Sequence, residues 1–231
     1  MLQFAPLPIL RHLGKTALDF CLPRKCLFCR SELAEDVPLC PACQKALPVT
    51  GERADRKGVH FGRCLSPLYY TSGLRDSFHR YKFGGHWHYS RIFARWMWEC
   101  LEKEEPDFLR FDLVTWTPLS LPRALKRGYD QSRRLAQGVA RQAGLPLVST
   151  LEKTRNNRPQ SGTAGPKERR KNTAGVYRLK PGASVRDKRI LLVDDIITTG
   201  STLEEASRIL QEAGAAEICC LTLARTPHRS P

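Results

Sequence analysis

The sequence lacks any run of 18 or more apolar residues, so no membrane-spanning helix is predicted. Acidic residues are also scarce: 23 Asp and Glu stand against 38 Lys and Arg, which gives a formal net charge of +15. A balance this positive favours an anionic partner, such as nucleic acid or a phosphorylated metabolite, over a charge that serves solubility alone. At 231 residues the chain is too short for two large cores, and we expect one substantial domain with a small appendage.

Three familiar signatures are missing as well. There is no Gly-x4-Gly-Lys phosphate loop and no Gly-x-Gly-x-x-Gly dinucleotide fingerprint. Basic residues interrupt the apolar stretch within residues 1–20, and no small-residue cleavage site follows it. We therefore expect an amphipathic helix over residues 1–20 rather than a signal peptide, and a cytoplasmic location.

Cysteine, in contrast, is plentiful and regularly spaced. Four of the nine cysteines, Cys26, Cys29, Cys40 and Cys43, form the pattern Cys-x2-Cys-x10-Cys-x2-Cys. Each two-residue gap places a pair of thiolates on one turn, so that four sulfurs can surround a tetrahedral Zn2+. Residues 21–50 contain too few apolar side chains for a core of their own, and a structural zinc would supply the folding energy. An iron–sulfur cluster or two redox pairs are the alternatives.

The remainder of the chain has the patterning of an α/β domain. After the zinc ribbon at 21–50 and a polar linker at 51–64, the domain is predicted to span residues 65–231. Strands are predicted at 65–70, 111–118, 190–193 and 217–223, and helices at 73–84, 88–104, 130–143 and 201–213. Because strands alternate with helices, we expect a mostly parallel sheet with helices on both faces.

The densest polar signal follows the predicted strand at 190–193. Two acids, Asp194 and Asp195, come first, and a helix then opens with the small residues Thr198, Thr199, Gly200, Ser201 and Thr202. Loops at the carboxyl ends of strands bind ligands in open α/β sheets, and helix N-termini suit phosphate. Adjacent carboxylates can accept hydrogen bonds from vicinal hydroxyls and hold Mg2+ near a diphosphate. Ordinary helix capping is the alternative, but a cap needs only one such residue.

Two basic segments accompany this loop. Thr117 ends a predicted strand and is followed by Arg123, Lys126 and Arg127, which could neutralise charge on a leaving diphosphate or form a solvated turn. Residues 153–171 carry seven Lys and Arg against one acid. This second segment is open to three interpretations: a lid over the ligand, a nucleic-acid contact, or a plain surface loop.

The run Val193-Asp-Asp-Ile-Ile-Thr-Thr-Gly200 resembles the phosphoribosyl pyrophosphate (PRPP) motif of type I phosphoribosyltransferases. The resemblance implies a phosphoribosyltransferase-like domain in which the two acids meet the ribose hydroxyls and the Thr-Thr-Gly loop holds the 5′-phosphate. It also implies that the segment 153–171 closes over PRPP.

Further motifs occur in the same order as in the ComF (ComFC) competence family, which joins an N-terminal double zinc ribbon to such a domain. They are the cysteine quartet, Lys82-Phe83-x-Gly85, Thr117 to Ser120, Arg127 to Gln131, Gln160, and Arg169 with Asn172. Two departures are Tyr129-Asp130, where the family commonly has Phe-Asn, and Trp116, where a small apolar residue is common.

The resemblance leads to two hypotheses about function. In the first, the protein binds PRPP with Mg2+ in natural competence or DNA uptake and transfers phosphoribose to an unknown acceptor, with Asp194, Asp195 and Arg127 as catalytic residues. In the second, it is a non-catalytic adaptor that binds a nucleotide or single-stranded DNA and docks to a competence helicase or another DNA-processing protein. The fold alone does not decide between them.

Overall fold

The computed structural model describes residues 24–34, 37–51, 56–154 and 175–227. The chain divides into two compact units, Met1–Leu47 and Pro48–Pro231. The amphipathic helix predicted over residues 1–20, and residues 155–171 of the basic segment, lie outside the described residues. Within the described ranges no helix has both the length and the apolar character needed to cross a membrane.

The described residues of the first unit lie mainly in turns. Lys25 and Glu32 form an antiparallel bridge, and one short helix, α1 (Pro41–Lys45), begins with proline directly after Cys40. Proline suits the first helical position because its missing N–H would be unpaired there anyway. Among the described residues of this unit, the buried apolar side chains are Cys26, Leu27, Phe28 and Leu39, a set too small to form a sufficient core by itself.

The second unit is organised around a parallel sheet. Its strands are β1 (Arg63–Leu65), β2 (Leu68–Tyr69), β3 (Leu113–Trp116), β6 (Arg189–Ile197) and β7 (Glu217–Arg225). The order across the sheet is β1-β7-β6-β3, with β2 also paired to β7, and all of these pairings are parallel. A separate antiparallel pair joins β4 (Leu151–Lys153) to β5 (Tyr177–Leu179).

Five α-helices lie in the described residues of the same unit, together with a 3-10 turn at Phe108–Arg110. The helices are α2 (Ser72–Phe83), α3 (Tyr89–Glu104), α4 (Leu121–Arg127), α5 (Gln131–Ala143) and α6 (Ser201–Glu212). Four of them match predicted helices closely, and α4 was not predicted. Its sequence signals are nevertheless present: a serine before the helix, a proline in its first turn, and Gly128 in the left-handed region (φ 76°) after its last residue.

The core lies on both faces of β6, because side chains along a strand alternate in direction. Ile190 and Leu192 belong to a buried cluster that includes Leu203 and Leu210 of α6. The intervening Leu191 and Val193 are fully buried outside that cluster, and α5 packs against β6 and β3. The predicted sheet with helices on both faces is therefore confirmed.

β6 is longer than the sequence pattern suggested. The predicted strand ended at Val193, but pairing with β7 continues to Ile197, which lies opposite Arg225. Asp194 and Asp195 are consequently strand residues, and the loop after them is limited to residues 198–200. The two acids were expected in a loop because charged residues are rare in buried strands, and here the ladder with β7 overrides that preference.

Near the start of the second unit, pairing with the sheet begins closer to the N-terminus than the sequence pattern predicted. Residues 51–64 were predicted as a linker, but Arg56 forms an antiparallel bridge with Cys64, and β1 already begins at Arg63. The strand predicted at 65–70 is interrupted after Leu65, where Pro67 cannot donate a backbone hydrogen bond to a ladder.

Candidate ligand site and cysteine cluster

Asp194 is a buried carboxylate held through one oxygen. Its Oδ1 accepts hydrogen bonds from the Thr117 hydroxyl at 2.5 Å, the Ser132 hydroxyl at 3.0 Å and the backbone N–H of Asp195 at 2.8 Å. Thr117 directly follows β3 and Ser132 lies in the first turn of α5, so two neighbouring elements fix this atom. No residue in the described part of the chain hydrogen-bonds to Oδ2, which leaves that oxygen for a ligand.

Asp195 is held in a comparable way by different groups. Its Oδ2 lies 2.7 Å from the ammonium of Lys82, at the end of α2, and accepts a hydrogen bond of 3.3 Å from Nε2 of Gln131, at the start of α5. Oδ1 again has no partner among the described residues. The two adjacent acids therefore each keep one oxygen without a partner among the described residues, and a carboxylate oxygen of this kind can accept a hydrogen bond from a hydroxyl.

The two carboxylates influence each other. Burial raises the pKa of Asp194 to about 7, and the neighbouring negative charge of Asp195 adds to this rise. The hydrogen bonds to its Oδ1 act in the opposite direction but do not compensate. Near neutral pH the pair therefore carries less than its full formal charge, and Asp194 in its protonated form can also donate a hydrogen bond.

The loop after β6 is held by Arg56, which was not among the predicted site residues. The guanidinium of Arg56 donates hydrogen bonds to the backbone carbonyls of Thr198 and Thr199, at 2.5 and 3.0 Å. In a trans peptide the N–H of the next residue points away from the carbonyl. Arg56 therefore turns the amides of Thr199 and Gly200 away from itself, as a phosphate-binding loop needs.

Gly200 and the first turn of α6 complete this loop. Gly200 adopts a left-handed conformation (φ 84°) immediately before the helix, and it is buried. A side chain at this position would be strained. The hydroxyls of Thr199 and Ser201 lie 2.9 Å apart, and the N–H groups of the first turn have no partner within the helix. The loop thus presents both hydroxyl and amide donors beside the acid pair.

The predicted diphosphate side is formed by α4 and the turn that follows it. Lys126 is exposed, while Arg123 and Arg127 are partly buried. The guanidinium of Arg127 lies 4.7 Å from the centre of the Phe83 ring, and burial lowers the pKa of Arg127. Asp130 caps α5 and also accepts a hydrogen bond from the backbone N–H of Leu119, which ties the turn to the helix.

Several buried polar atoms in this region have no hydrogen-bond partner within the described part of the chain. They are Ser120 Oγ, Arg127 Nη1, Tyr129 Oη and Gln131 Oε1. Buried polar groups are nearly always paired in folded proteins, so each such atom needs an explanation. Four such atoms fall within twelve residues, and two of these residues, Arg127 and Gln131, interact with Asp195.

Lys153 is the described basic residue of the segment 153–171, and it ends β4. Its ammonium lies 5.4 Å from the centre of the Tyr177 ring, and burial lowers its pKa to about 8. Arg123 acts in the same direction, whereas Asp194, Asp130 and Asp195 oppose it. The start of the basic segment is therefore within electrostatic range of the acid pair.

The four predicted metal ligands come together in the first unit. The sulfurs of Cys26, Cys29, Cys40 and Cys43 all lie within 4.8 Å of one another. The sulfurs of Cys29 and Cys40 are 3.7 Å apart, close to the ~3.8 Å between two sulfurs bound at tetrahedral angles to one zinc ion. The eight described cysteines are free thiols, as expected for a metal site rather than a disulfide framework.

The predicted site residues form two groups in the structure: the four cysteines of the first unit, and the residues around the carboxyl end of β6 in the second. Asp194, Asp195, Thr117 and the loop 198–202 lie together at the carboxyl end of β6, and Arg127 lies within electrostatic range of Asp195. Arg56, Lys82, Gln131 and Ser132 were not predicted as site residues. Lys82 and Gln131 had appeared in motifs, but Arg56 had no sequence signal because its role depends on a contact 142 residues away.

Comparison with known proteins found a matching family model and several similar proteins. The family model described as phosphoribosyl transferase domain matches residues 130–231. Together with the parallel sheet, this match confirms the predicted type I phosphoribosyltransferase-like fold.

Three curated relatives cover most of the chain. Competence protein ComFC of Bacillus subtilis is 30% identical over 211 residues, which cover 87% of this chain and 84% of the relative. Competence protein ComFC of Streptococcus pneumoniae is 33% identical over 156 residues, which cover 68% of this chain and 65% of the relative. DNA utilization protein YhgH of Escherichia coli is 28% identical, with 87% of this chain and 90% of the relative covered.

Replacing Asp194 with Asn should remove a pH dependence of stability. The pKa of Asp194 rises from 3.8 to about 7 on folding, so the folded protein binds more protons than the unfolded chain between these pH values. The free energy of unfolding should consequently fall as the pH rises through this interval, and Asp194→Asn should flatten that fall.

The measurement is urea unfolding of metal-free protein at a series of pH values. Asp112→Asn is the control, since the backbone N–H of Arg189 lowers the pKa of Asp112 and its replacement should change the pH dependence in the opposite sense. Identical pH profiles for wild type and Asp194→Asn would contradict the prediction.

Proposed function

The chain belongs to the ComFC family of competence proteins, and on this premise we propose that it binds PRPP at the carboxyl end of β6 and acts in DNA uptake. One observation carries the proposal. Asp194 and Asp195 are each held through one carboxylate oxygen, and they lie beside a loop whose amides are turned outward by Arg56. A cytoplasmic location accompanies this proposal, since free thiols at a metal site need a reducing compartment.

In this proposal each part of PRPP has its own partner. The free oxygens of Asp194 and Asp195 accept the ribose hydroxyls, and residues 198–202 donate to the 5′-phosphate. Thr117, Arg123, Lys126 and Arg127 form the diphosphate side. Support for that side comes from the unpartnered Nη1 of Arg127, because a buried guanidinium N–H is suited to an anionic oxygen.

Mg2+ belongs to the proposal as the companion of the diphosphate. Mg2+ prefers carboxylate and phosphate oxygens, and the diphosphate would supply the phosphate oxygens beside the acid pair. When bound, the ion would neutralise charge on the diphosphate. The protein residues would hold the ribose and exclude water.

Transfer of the phosphoribosyl group extends the same proposal. The bond between the anomeric carbon and the diphosphate oxygen would break as an acceptor attacks, and pyrophosphate would leave. The main requirement is then to stabilise the charge that develops on the leaving oxygen, and Arg127 would supply a positive charge for this.

Isothermal titration calorimetry with PRPP and Mg2+ tests the binding site. We expect Asp194→Asn combined with Asp195→Asn to weaken binding about a hundredfold, because two charge-assisted hydrogen bonds of roughly 1.5 kcal/mol each are lost. Asp112→Asn, at the other end of β6, is the matched control and should bind as wild type does. An absence of heat with the wild-type protein would refute the proposal.

A second candidate function, a single-stranded DNA adaptor, is favoured by one specific feature. Two exposed aromatic rings, Phe83 and Trp87, are 60% and 52% accessible, and each lies under a guanidinium. The guanidinium of Arg127 is 4.7 Å from the Phe83 ring, and that of Arg134 is 4.8 Å from the Trp87 ring. Aromatic platforms combined with cations suit the stacking of unpaired bases, and the net charge of +15 suits their backbone.

The DNA function is tested with a labelled oligonucleotide at several salt concentrations. We expect Trp87→Leu to weaken binding about tenfold, since one base–aromatic stack contributes roughly 1–3 kcal/mol. PRPP affinity should stay unchanged in this variant. A binding constant that is independent of salt would count against the function, because each neutralised phosphate contributes to a steep salt dependence.

We further propose that the cysteine cluster holds one structural zinc ion. The described first unit has a small core, and the four sulfurs lie at distances that suit tetrahedral ligation. The Ser31 hydroxyl and N–H lower the pKa of Cys29 to about 6, whereas burial and the neighbouring cysteines raise the pKa of Cys43 to about 12, so a bound metal ion would be needed to hold Cys43 as a thiolate. Zinc ligation would thus stabilise a unit that its apolar residues cannot stabilise alone.

Metal analysis of purified protein tests the zinc site. We expect about one zinc per chain, and its loss in Cys40→Ser because three ligands hold the ion far less tightly than four. Cys100→Ser is the control, since Cys100 lies in α3 outside the cluster and should leave the zinc content unchanged. Iron and sulfide in place of zinc would instead indicate an iron–sulfur cluster.

A further inference from the structure

Lys82 is a site residue whose role the proposed function does not use. It lies near the end of α2, outside both loops that were expected to bind the ligand. Its ammonium is 2.7 Å from Oδ2 of Asp195 and 4.5 Å from the centre of the Phe78 ring. The pair is largely shielded, since 22% of the Lys82 side chain and 14% of the Asp195 side chain are exposed. An ion pair this shielded is screened by water and salt much less than a surface pair.

The oxygen that Lys82 occupies is not the one that a ligand needs. Lys82 and Gln131 both reach Oδ2 of Asp195, whereas Oδ1 has no partner among the described residues. The same division holds for Asp194, where Oδ1 takes all three donors. Lys82 can therefore remain in place while the outer oxygens accept hydroxyl groups, so its contact with Asp195 is compatible with a bound sugar.

The charge of the site depends on this lysine. Two adjacent carboxylates without a counter-ion form an attractive site for a hard divalent cation. The ammonium of Lys82 supplies a positive charge at hydrogen-bond distance from Oδ2 of Asp195. It would repel a divalent ion that approached this carboxylate. As the acid pair stands in the structure, it suits a neutral diol better than a free metal ion.

We propose that Lys82 is the resident counter-ion of Asp195, which positions this acid for the ribose hydroxyls and keeps a free divalent cation out of the site. The inference rests on the proposed PRPP function. Its consequence is that Mg2+ reaches the site with the diphosphate, and not by prior binding to the protein. Lys82 acts through Asp195 and is a positioning residue.

The first test uses Mn2+ alone as the probe, with its binding followed by electron paramagnetic resonance. Lys82→Met should raise the affinity for Mn2+ about tenfold or more, because it removes the ammonium and leaves the two acids uncompensated. Lys82→Arg, which keeps the charge, should stay close to wild type. Lys103→Met is the matched control, since Lys103 is an exposed lysine of α3 with 65% of its side chain accessible.

The second test measures PRPP affinity with and without Mg2+ in the same four proteins. Lys82→Met should bind PRPP more weakly than wild type, and its binding should depend more strongly on Mg2+ concentration. Lys82→Arg should restore most of both properties. Thermal unfolding establishes that each variant folds, and Lys82→Gln takes the place of Lys82→Met should the methionine variant not fold.

The outcomes separate the two proposals. If the wild-type protein does not bind PRPP, the proposed function fails, but the Mn2+ result still decides whether Lys82 excludes a cation. If Lys82→Met binds Mn2+ no better than wild type and Lys103→Met, the counter-ion role is overturned. Equal gains in Lys82→Met and Lys82→Arg would overturn it as well, because the side-chain shape and not its charge would then control the site.

Discussion

The long parallel pairing of β6 with β7 is the constraint on which the candidate site depends. Because this ladder continues to Ile197, Asp194 and Asp195 are fixed as strand residues with defined directions. Asp194 is directed inward, toward the hydroxyl of Thr117, which follows β3, and the hydroxyl of Ser132 in α5, and it becomes buried. Had the strand ended at Val193, the acids would lie on a loop and neither anchoring arrangement would follow.

The site is electrostatically distinct from the protein that carries it. The chain has a strong excess of positive charge, yet the pair Asp194 and Asp195 is balanced locally, by hydroxyl and amide donors at Asp194 and by an ammonium at Asp195. A general positive potential draws anions toward the surface from a distance. The local balance then determines which part of an anionic ligand meets the acids, and it favours the uncharged hydroxyls over the phosphates.

Much of the fold was predictable because it follows from local pattern. The apolar run before Asp194, the helical spacing of α3 and α5, and the paired cysteines are all encoded within short windows of sequence. The same is true of the acids and of the loop 198–202.

Contacts between distant segments could not be predicted in this way. Arg56 lies in a polar stretch without periodicity, and only the folded chain brings it to Thr198. Lys82 was visible as part of a motif, but its partner was not, since helix position relative to a sheet depends on packing that no single segment encodes. The groups that hold the site come from five separate parts of the chain, and no fragment contains them all. A ligand could bind there only when the whole second unit is folded. Its binding would therefore raise the free energy of unfolding of that unit as a whole.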